Sequence, residues 1–275
     1  MDIRKKIFNE ISSRMGPAFF ENEAPPVFLY DTYRLQRKAK NEKLFRKLDA
    51  VYRRVPAVQC GPCGDVCCRE SPDAYLLEYL YIWRHIRYTL ADPELEKEIL
   101  RRALEWTFLR CVKPDVYCPF LVDKKCVIYD VRPLNCRLWA LEDEQYYAKK
   151  AARAGEQVEK QAEFFRKNGI EPAGAPARGV LPRCNNITVE GDRRYTEDEI
   201  VSMDLDVAFL HLTLIPHEAF RSMNFHLHIP GHISTKKAEI QKFDALNLEI
   251  AREYSRTGAS GTLQRFAASF EGCLP

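Results

Sequence analysis

Two short runs of cysteines constrain this chain more than any other feature of its sequence. The runs hold seven of the ten cysteines, which are Cys60, Cys63, Cys67 and Cys68 in the first run and Cys118, Cys126 and Cys136 in the second. Glycine permits positive φ and proline fixes a bend, so the first run, which contains two glycines and a proline, can turn several sulfurs toward one point. We therefore predict a metal or iron–sulfur site.

The rest of the sequence favours metal ligation over disulfides. No apolar run approaches the roughly 20 residues of a membrane-spanning helix, and residues 1–10 lack the apolar stretch of a signal peptide. We expect a cytosolic protein with no membrane contact, whose thiols stay reduced. The net charge of +3 is too small to predict nucleic-acid binding. The oligomeric state stays open.

Apolar residues recur at helical spacing almost throughout, which predicts a mainly α fold. The architecture we expect is a helical domain wrapped around a loop-built cysteine metal cluster. Its three parts are N-terminal helices in residues 1–58, a cysteine-cluster metal-binding module in 59–140 and a C-terminal helical region in 141–275.

Individual helices are predicted from their start and stop signals. Helices are expected at residues 2–15, 31–54 and 142–167, with Gly169 just past the end of the last. Further helices are expected to begin at four signals, which are Ser71-Pro72-Asp73, Asp92-Pro93-Glu94, the capping box Thr196–Glu199, and Ser234 or Thr235. A last short helix is expected over residues 261–270. A weak strand pair of Val180 with 187–189 is the one β element expected.

Zinc and iron–sulfur clusters both require three or four thiolates around each metal. Cys60 and Cys63 have the spacing that clamps one metal, whereas the adjacent Cys67 and Cys68 are expected to diverge. Four thiolates complete one site, and seven are one short of two sites. The missing ligand could be Cys184, a histidine or water, so one site or two remain open.

The second run resembles the YkgJ type of cysteine-cluster family, described as a zinc- or iron-chelating domain. That family has Cys-x-x-Cys-x-x-Cys-Cys, then Cys-Pro-Phe-Leu, a further Cys, and Ile-Tyr-x-x-Arg-Pro-x-x-Cys-Arg. Here Cys118-Pro-Phe-Leu121 precedes Cys126-Val-Ile-Tyr-Asp-Val-Arg-Pro-Leu-Asn-Cys136-Arg137. The first run departs by one residue, because three residues separate Cys63 from Cys67. The resemblance covers residues 60–137.

The resemblance implies a bound metal, either zinc or an iron–sulfur cluster of the 4Fe-4S kind. Relatives of this type include flagellin lysine-N-methylase, which implies a second possibility: S-adenosylmethionine as cofactor and a protein or peptide as substrate. The sequence has no Gly-x-Gly spacing, so it contains neither a dinucleotide fingerprint nor a P-loop. The glycine-rich loop typical of S-adenosylmethionine sites is absent as well.

Other residues are candidates for supporting roles. Arg132 and Arg137 could hold an anionic cofactor or substrate, offset the charge of a thiolate cluster, or bond to loop carbonyls. Cys111 is expected to be a buried thiol and Cys273 to be incidental. Four histidines lie close together and are expected to be ordinary imidazoles, with a second metal site as the alternative; they are His217, His226, His228 and His232.

The function expected first is therefore a cytosolic metal-binding protein with an iron–sulfur cluster or zinc held by cysteine thiolates. An S-adenosylmethionine-dependent protein lysine N-methyltransferase is the alternative, and a redox, electron-transfer or sensor protein is a further one. No catalytic residue is assigned.

Overall fold

The structure, a computed structural model, describes residues 28–56, 58–60, 66–69, 74–173, 184, 187–189, 193–214 and 237–271. Most of the described residues lie in α-helices. The helices are α1 (Phe28–Asn41), α2 (Leu44–Tyr52), α3 (Leu76–His85), α4 (Pro93–Leu109), α5 (Leu134–Arg137), α6 (Glu144–Lys167), α7 (Glu197–Leu214), α8 (Lys237–Thr257) and α9 (Gly261–Glu271).

The prediction of a mainly α fold is confirmed, because most of the described residues are helical and few are in strands. Whether the helices wrap a metal cluster stays a prediction. Among the described helices, none combines the length and apolar character needed to cross a membrane.

Two pairs of short antiparallel strands complete the secondary structure of the described residues. Strand β1 (Val58–Cys60) pairs with β4 (Ile187–Val189), so that Cys60 lies opposite Ile187. Strands β2 (Leu121–Val122) and β3 (Lys125–Cys126) form a tight hairpin. The predicted strand at 187–189 is therefore present, but its partner is β1; Val180 lies outside the described residues.

Several predicted helix ends are confirmed in atomic detail. Asp92 caps α4, since its side chain accepts hydrogen bonds from the backbone N–H groups of Glu94 and Leu95. The capping box before α7 is present, with Thr196 N–H donating to Glu199 at 3.0 Å and Glu199 N–H donating to the Thr196 hydroxyl at 3.4 Å.

The end of α6 is also as predicted. Gly169 has a φ of 73° and donates to the Arg166 carbonyl, while Ile170 N–H donates to the Phe165 carbonyl. These two bonds form a Schellman motif, and Ile170 and Phe165 are both buried in the same apolar cluster.

Two predicted helices differ from those in the structure. The helix expected over 31–54 is two helices, because Lys43 adopts the left-handed conformation with a φ of 55° and breaks the ladder between α1 and α2. The helix expected to begin at Ser71-Pro72-Asp73 begins at Leu76, and those three residues lie outside the described part. Glu78 closes its first turn by accepting a hydrogen bond from Tyr75 N–H.

Apolar side chains gather in three clusters. The largest cluster contains residues from several helices, such as Leu48 of α2, Leu80 of α3 and Val207 of α7. It also contains Leu141, which precedes α6. A second cluster joins α4, α6, α8 and α9 around Trp106. The third lies between α3, α4 and the second cysteine run. The division at residues 58 and 140 stays a prediction; the largest cluster contains residues from all three parts.

Several expectations fall outside the described residues. These are the helix at 2–15, the start of a helix at Ser234 or Thr235, the histidine segment from His217 to His232, and Cys273. Helix α9 confirms the helix expected at 261–270.

Gly169 provides a test of the cap that ends α6. Replacing Gly169 by Ala should lower the free energy of unfolding by about 1 kcal/mol, because a Cβ at positive φ is strained although no atom lies within 4 Å of it. Chemical denaturation measures the change. Gly261→Ala, at a position without positive φ, is the control and should not destabilise; equal losses in both variants would contradict the conformational argument.

His211 predicts a pH dependence of stability. It is 2% exposed within α7, and burial lowers the pKa of its imidazole to about 4. The unfolded chain binds this proton near pH 6.5, so the free energy of unfolding should fall by up to about 3 kcal/mol between pH 6.5 and 4. His211→Gln should flatten this decline in thermal or chemical unfolding, whereas His85→Gln should retain it. A decline that His211→Gln leaves unchanged would refute the assignment.

Candidate metal centre

The first cysteine run begins at the end of strand β1, in the β1–β4 ladder. Cys60 ends β1, where its backbone pairs with Ile187; its side chain and Cys63 lie outside what the structure describes. Cys67 and Cys68 lie in a single 3₁₀ turn, Val66–Arg69. Their sulfur atoms are 4.0 Å apart, so the divergence expected for adjacent cysteines is wrong. The tight 3₁₀ backbone brings the two sulfurs close together.

The second run is shaped by the β2–β3 hairpin. Its two turn residues, Asp123 and Lys124, have φ values of 48° and 61°. Two consecutive left-handed residues are typical of a type I′ turn, whose twist matches that of the flanking strands. The hairpin sets Leu121 opposite Cys126, and Val127 N–H donates to the Phe120 carbonyl at 3.0 Å. The turn thereby fixes the position of Cys126 relative to Cys118.

The two runs are joined directly. Cys118 N–H donates a hydrogen bond of 2.7 Å to the Cys68 carbonyl. The hydroxyl of Tyr129, in the 3₁₀ turn Tyr129–Val131, donates at 2.6 Å to the Val58 carbonyl of β1. These bonds hold the first run against the second. The Tyr129 hydroxyl thus bridges the two runs.

Four thiols share one apolar cluster. Cys118 is buried, and Cys68, Cys126 and Cys136 pack against the same cluster, which includes Phe120. No disulfide joins any two of the described cysteines. The structure therefore brings together five of the seven predicted ligands, since Cys67 lies beside Cys68.

The electrostatics of this group disfavour thiolates. Hydrogen bonding to the Cys68 thiol and then burial raise the pKa of Cys67, and hydrogen bonding to the Cys118 thiol raises that of Cys68. Burial first, and then the nearby Cys126 and other thiols, raise the pKa of Cys136. Without a cation, these sulfurs stay protonated near neutral pH.

Arg132 contributes a positive charge that acts on two of these thiols. Its charge lowers the pKa of both Cys67 and Cys136, against the larger effects of burial and neighbouring thiols. The guanidinium carbon lies 3.8 Å from the centre of the Tyr129 ring. The Nε atom of Arg132 is buried without a hydrogen-bond partner in the described part of the chain.

Arg137 is differently engaged. Its Nε donates at 2.9 Å to the Arg132 carbonyl, and its Nη2 donates to the Asp130 carbonyl. Its guanidinium lies 4.1 Å from the centre of the Tyr52 ring. Two of these contacts are hydrogen bonds to loop carbonyls, which was one of the roles considered for Arg137.

The donors meet the chemical requirement for a soft metal but do not form a preformed site. Among the described side chains, no group of three or more histidine, cysteine, aspartate or glutamate residues lies in an arrangement that would hold a metal ion. The side chains of Cys60 and Cys63 lie outside the described residues. Thiolate donors suit zinc and iron–sulfur clusters. The positive charge of Arg132 acts on Cys67 and Cys136 and would offset part of the charge of such thiolates.

The remaining cysteines have different environments. Cys184 is 7% exposed and lies three residues before β4, the strand that pairs with Cys60. Cys111 is buried against Trp106 and its neighbours in the second apolar cluster, as expected.

Glu78 is the residue near the site that sequence reasoning missed. It is 1% exposed, and its carboxylate accepts hydrogen bonds from Tyr52, before the first cysteine run, and from Leu134, within the second run. A glutamate three residues after a helix start is an ordinary capping signal, so the sequence gives no sign of its longer-range bonds.

Comparisons with known proteins add no family assignment. The chain matches no protein-family model, no curated protein and no solved structure. The likeness to the YkgJ type therefore depends on the cysteine motif alone.

Cys111 allows a test of the thiol environments. Burial raises the pKa of Cys111 to about 11, two units above an ordinary thiol at 9. The thiolate fraction at pH 8 should then be about a hundredfold smaller, and native-state alkylation by iodoacetamide should be slower by about that factor. Peptide mass spectrometry gives the rate at this position. Labelling in the native protein as fast as in denaturant would contradict the burial.

Proposed function

We propose that this protein holds a metal centre, an iron–sulfur cluster of the 4Fe-4S kind or zinc, through cysteine thiolates. The observation that carries the proposal is the meeting of thiols from two distant segments. Cys67 and Cys68 come from one 3₁₀ turn and Cys118 from the second run, and they lie next to Cys126 and Cys136.

The charge balance of the thiol group supports this proposal. Of the five clustered thiols, Cys67, Cys68 and Cys136 have pKa values raised by neighbouring thiols and by burial, so these three sulfurs stay protonated without a cation. A bound metal cation would lower the pKa of these thiols, since a coordinating thiol is deprotonated outright. The same sulfurs then become the most favourable ligands available.

The residues that would hold the centre are the seven cysteines of the two runs. Cys67, Cys68, Cys118, Cys126 and Cys136 lie close together. Cys60 is the last residue of β1, and its side chain lies outside the described residues. Arg132 would offset part of the negative charge of the thiolates and offers an unused N–H for a sulfur. Arg137 would support the loop that carries Arg132.

A bound iron–sulfur cluster would supply electron transfer, and zinc would supply a structural clamp or a Lewis acid. Redox, electron-transfer or sensor activity therefore remains an alternative that depends on the metal. S-adenosylmethionine-dependent methylation of protein lysines also remains an alternative, supported by the motif resemblance. A cytosolic location suits either, because it keeps the thiols reduced.

The deciding experiment is anaerobic purification followed by metal and sulfide analysis and an absorption spectrum. Stoichiometric iron and sulfide with absorption near ~400 nm would support a cluster. Stoichiometric zinc in a colourless protein would support a zinc site. A folded, reduced protein that contains neither metal and takes up neither would overturn the proposal.

Cysteine variants test which sulfurs bind. Cys126→Ala and Cys136→Ala should each lose most of the metal and lower the melting temperature, because each removes a thiolate from the group. Cys111→Ala is the matched control, a buried cysteine in a different cluster, and should keep its metal. Full occupancy in both Cys126→Ala and Cys136→Ala would show that the ligands are elsewhere.

A further inference from the structure

The carboxylate of Glu78 is the most completely buried charge near the cysteine group. Its Oε1 accepts hydrogen bonds from the Tyr52 hydroxyl at 2.9 Å and from Leu134 N–H at 2.7 Å. Its Oε2 accepts from Tyr75 N–H at 2.9 Å. Burial raises the pKa of Glu78, and the three donors act in the opposite direction. The carboxylate therefore joins α2, α3 and α5.

The bond to Leu134 acts on the segment that carries Cys136. Leu134 is the first residue of α5, a helix of only four residues, and Cys136 is its third. A helix this short has no stability of its own, since nucleation costs more than one turn returns. The first residue of α5, Leu134, donates its backbone N–H to the carboxylate of Glu78, which lies 56 positions earlier in the chain. This bond fixes where α5 begins.

The bond to Tyr52 acts on the other side of the same segment. The Tyr52 ring lies under the Arg137 guanidinium, with 4.1 Å between the guanidinium carbon and the ring centre. Arg137 in turn holds the carbonyls of Arg132 and Asp130. A chain of contacts thus runs from Glu78 through Tyr52 and Arg137 to the backbone of Arg132.

We propose that Glu78 is a positioning residue for the metal centre, acting through Leu134 N–H on Cys136 and through Tyr52 and Arg137 on Arg132. This inference depends on the proposed function. Groups that orient metal ligands without touching the metal change affinity by about 10- to 100-fold when they are removed. Glu78 has the features of such a group: it is buried, both of its oxygens accept hydrogen bonds, and one of its donors, Leu134 N–H, lies two residues before Cys136.

The test uses cobalt(II) as a probe of thiolate geometry in the reduced, metal-free full-length protein. Tyr52→Phe removes only the hydroxyl donor and keeps the ring beneath Arg137; Glu78→Gln removes the charge. Both variants should weaken cobalt(II) binding about tenfold and change the ligand-field bands. Tyr81→Phe is the matched control, because the Tyr81 hydroxyl donates to Asp49 at 2.8 Å in the same region without bonding to the Glu78 network.

The outcomes separate the two proposals. Cobalt(II) affinity and spectrum equal to wild type in Tyr52→Phe, with a stability loss like that of Tyr81→Phe, would overturn the role of Glu78 and leave the metal centre intact. If Glu78→Gln fails to fold, the comparison of Tyr52→Phe with Tyr81→Phe still decides whether the Glu78 network affects metal binding. A wild-type protein that binds neither cobalt(II) nor zinc would overturn the metal centre and this inference together.

Discussion

The Glu78 carboxylate has lost nearly all contact with water, and the cost of that burial is offset only while its donors stay in place. Those donors come from Tyr52, Tyr75 and Leu134, which the chain keeps far apart. Removing the Tyr75 donor would leave Oε2 without a partner, and removing Tyr52 or Leu134 would leave Oε1 with a single donor. An unsatisfied buried acceptor costs more than the bond itself contributes. The requirement therefore restricts α2, α3 and α5 to one relative arrangement.

The thiol group imposes a second electrostatic requirement. Protonated, the sulfurs of Cys67, Cys68 and Cys136 are compatible with their apolar surroundings; ionised, they repel one another, and one guanidinium at Arg132 does not balance them. The protonated and the metal-bound forms should consequently differ in net charge and in packing. The tight hairpin at Asp123–Lys124 and the Tyr129–Val58 bond limit how far the backbone can adjust between them.

Local signals predicted much of this fold. Caps at Asp92 and Thr196 and the glycine after α6 are found where the sequence indicated, because each depends on neighbours within four residues. No local sequence signal marks the break at Lys43, because the positive φ of a lysine depends on tertiary contacts. Five of the seven cysteines predicted to bind a metal lie close together, and the set of ligands stays a prediction.

The spacing of the cysteines could not predict the contacts that hold the thiol group in place. The partner of β1 is β4, and the partner of Glu78 is Leu134; both are pairings between distant positions with no local pattern. The 4.0 Å approach of Cys67 and Cys68 was missed for a related reason. The 3₁₀ backbone that brings them together follows from the contacts of the turn with Cys118, which adjacency in sequence does not reveal.

The β1–β4 ladder has a consequence for biosynthesis. Cys60 leaves the ribosome well before Ile187, its strand partner, has been made. At 5–20 residues per second, the delay is on the order of ten seconds. During that interval the strand that carries the first cysteine run has no partner, and non-local pairing of this kind forms late. A nascent chain in an oxidising environment would have time to form wrong disulfides before the ladder closed, so reducing conditions during translation are as important for this protein as those after it folds.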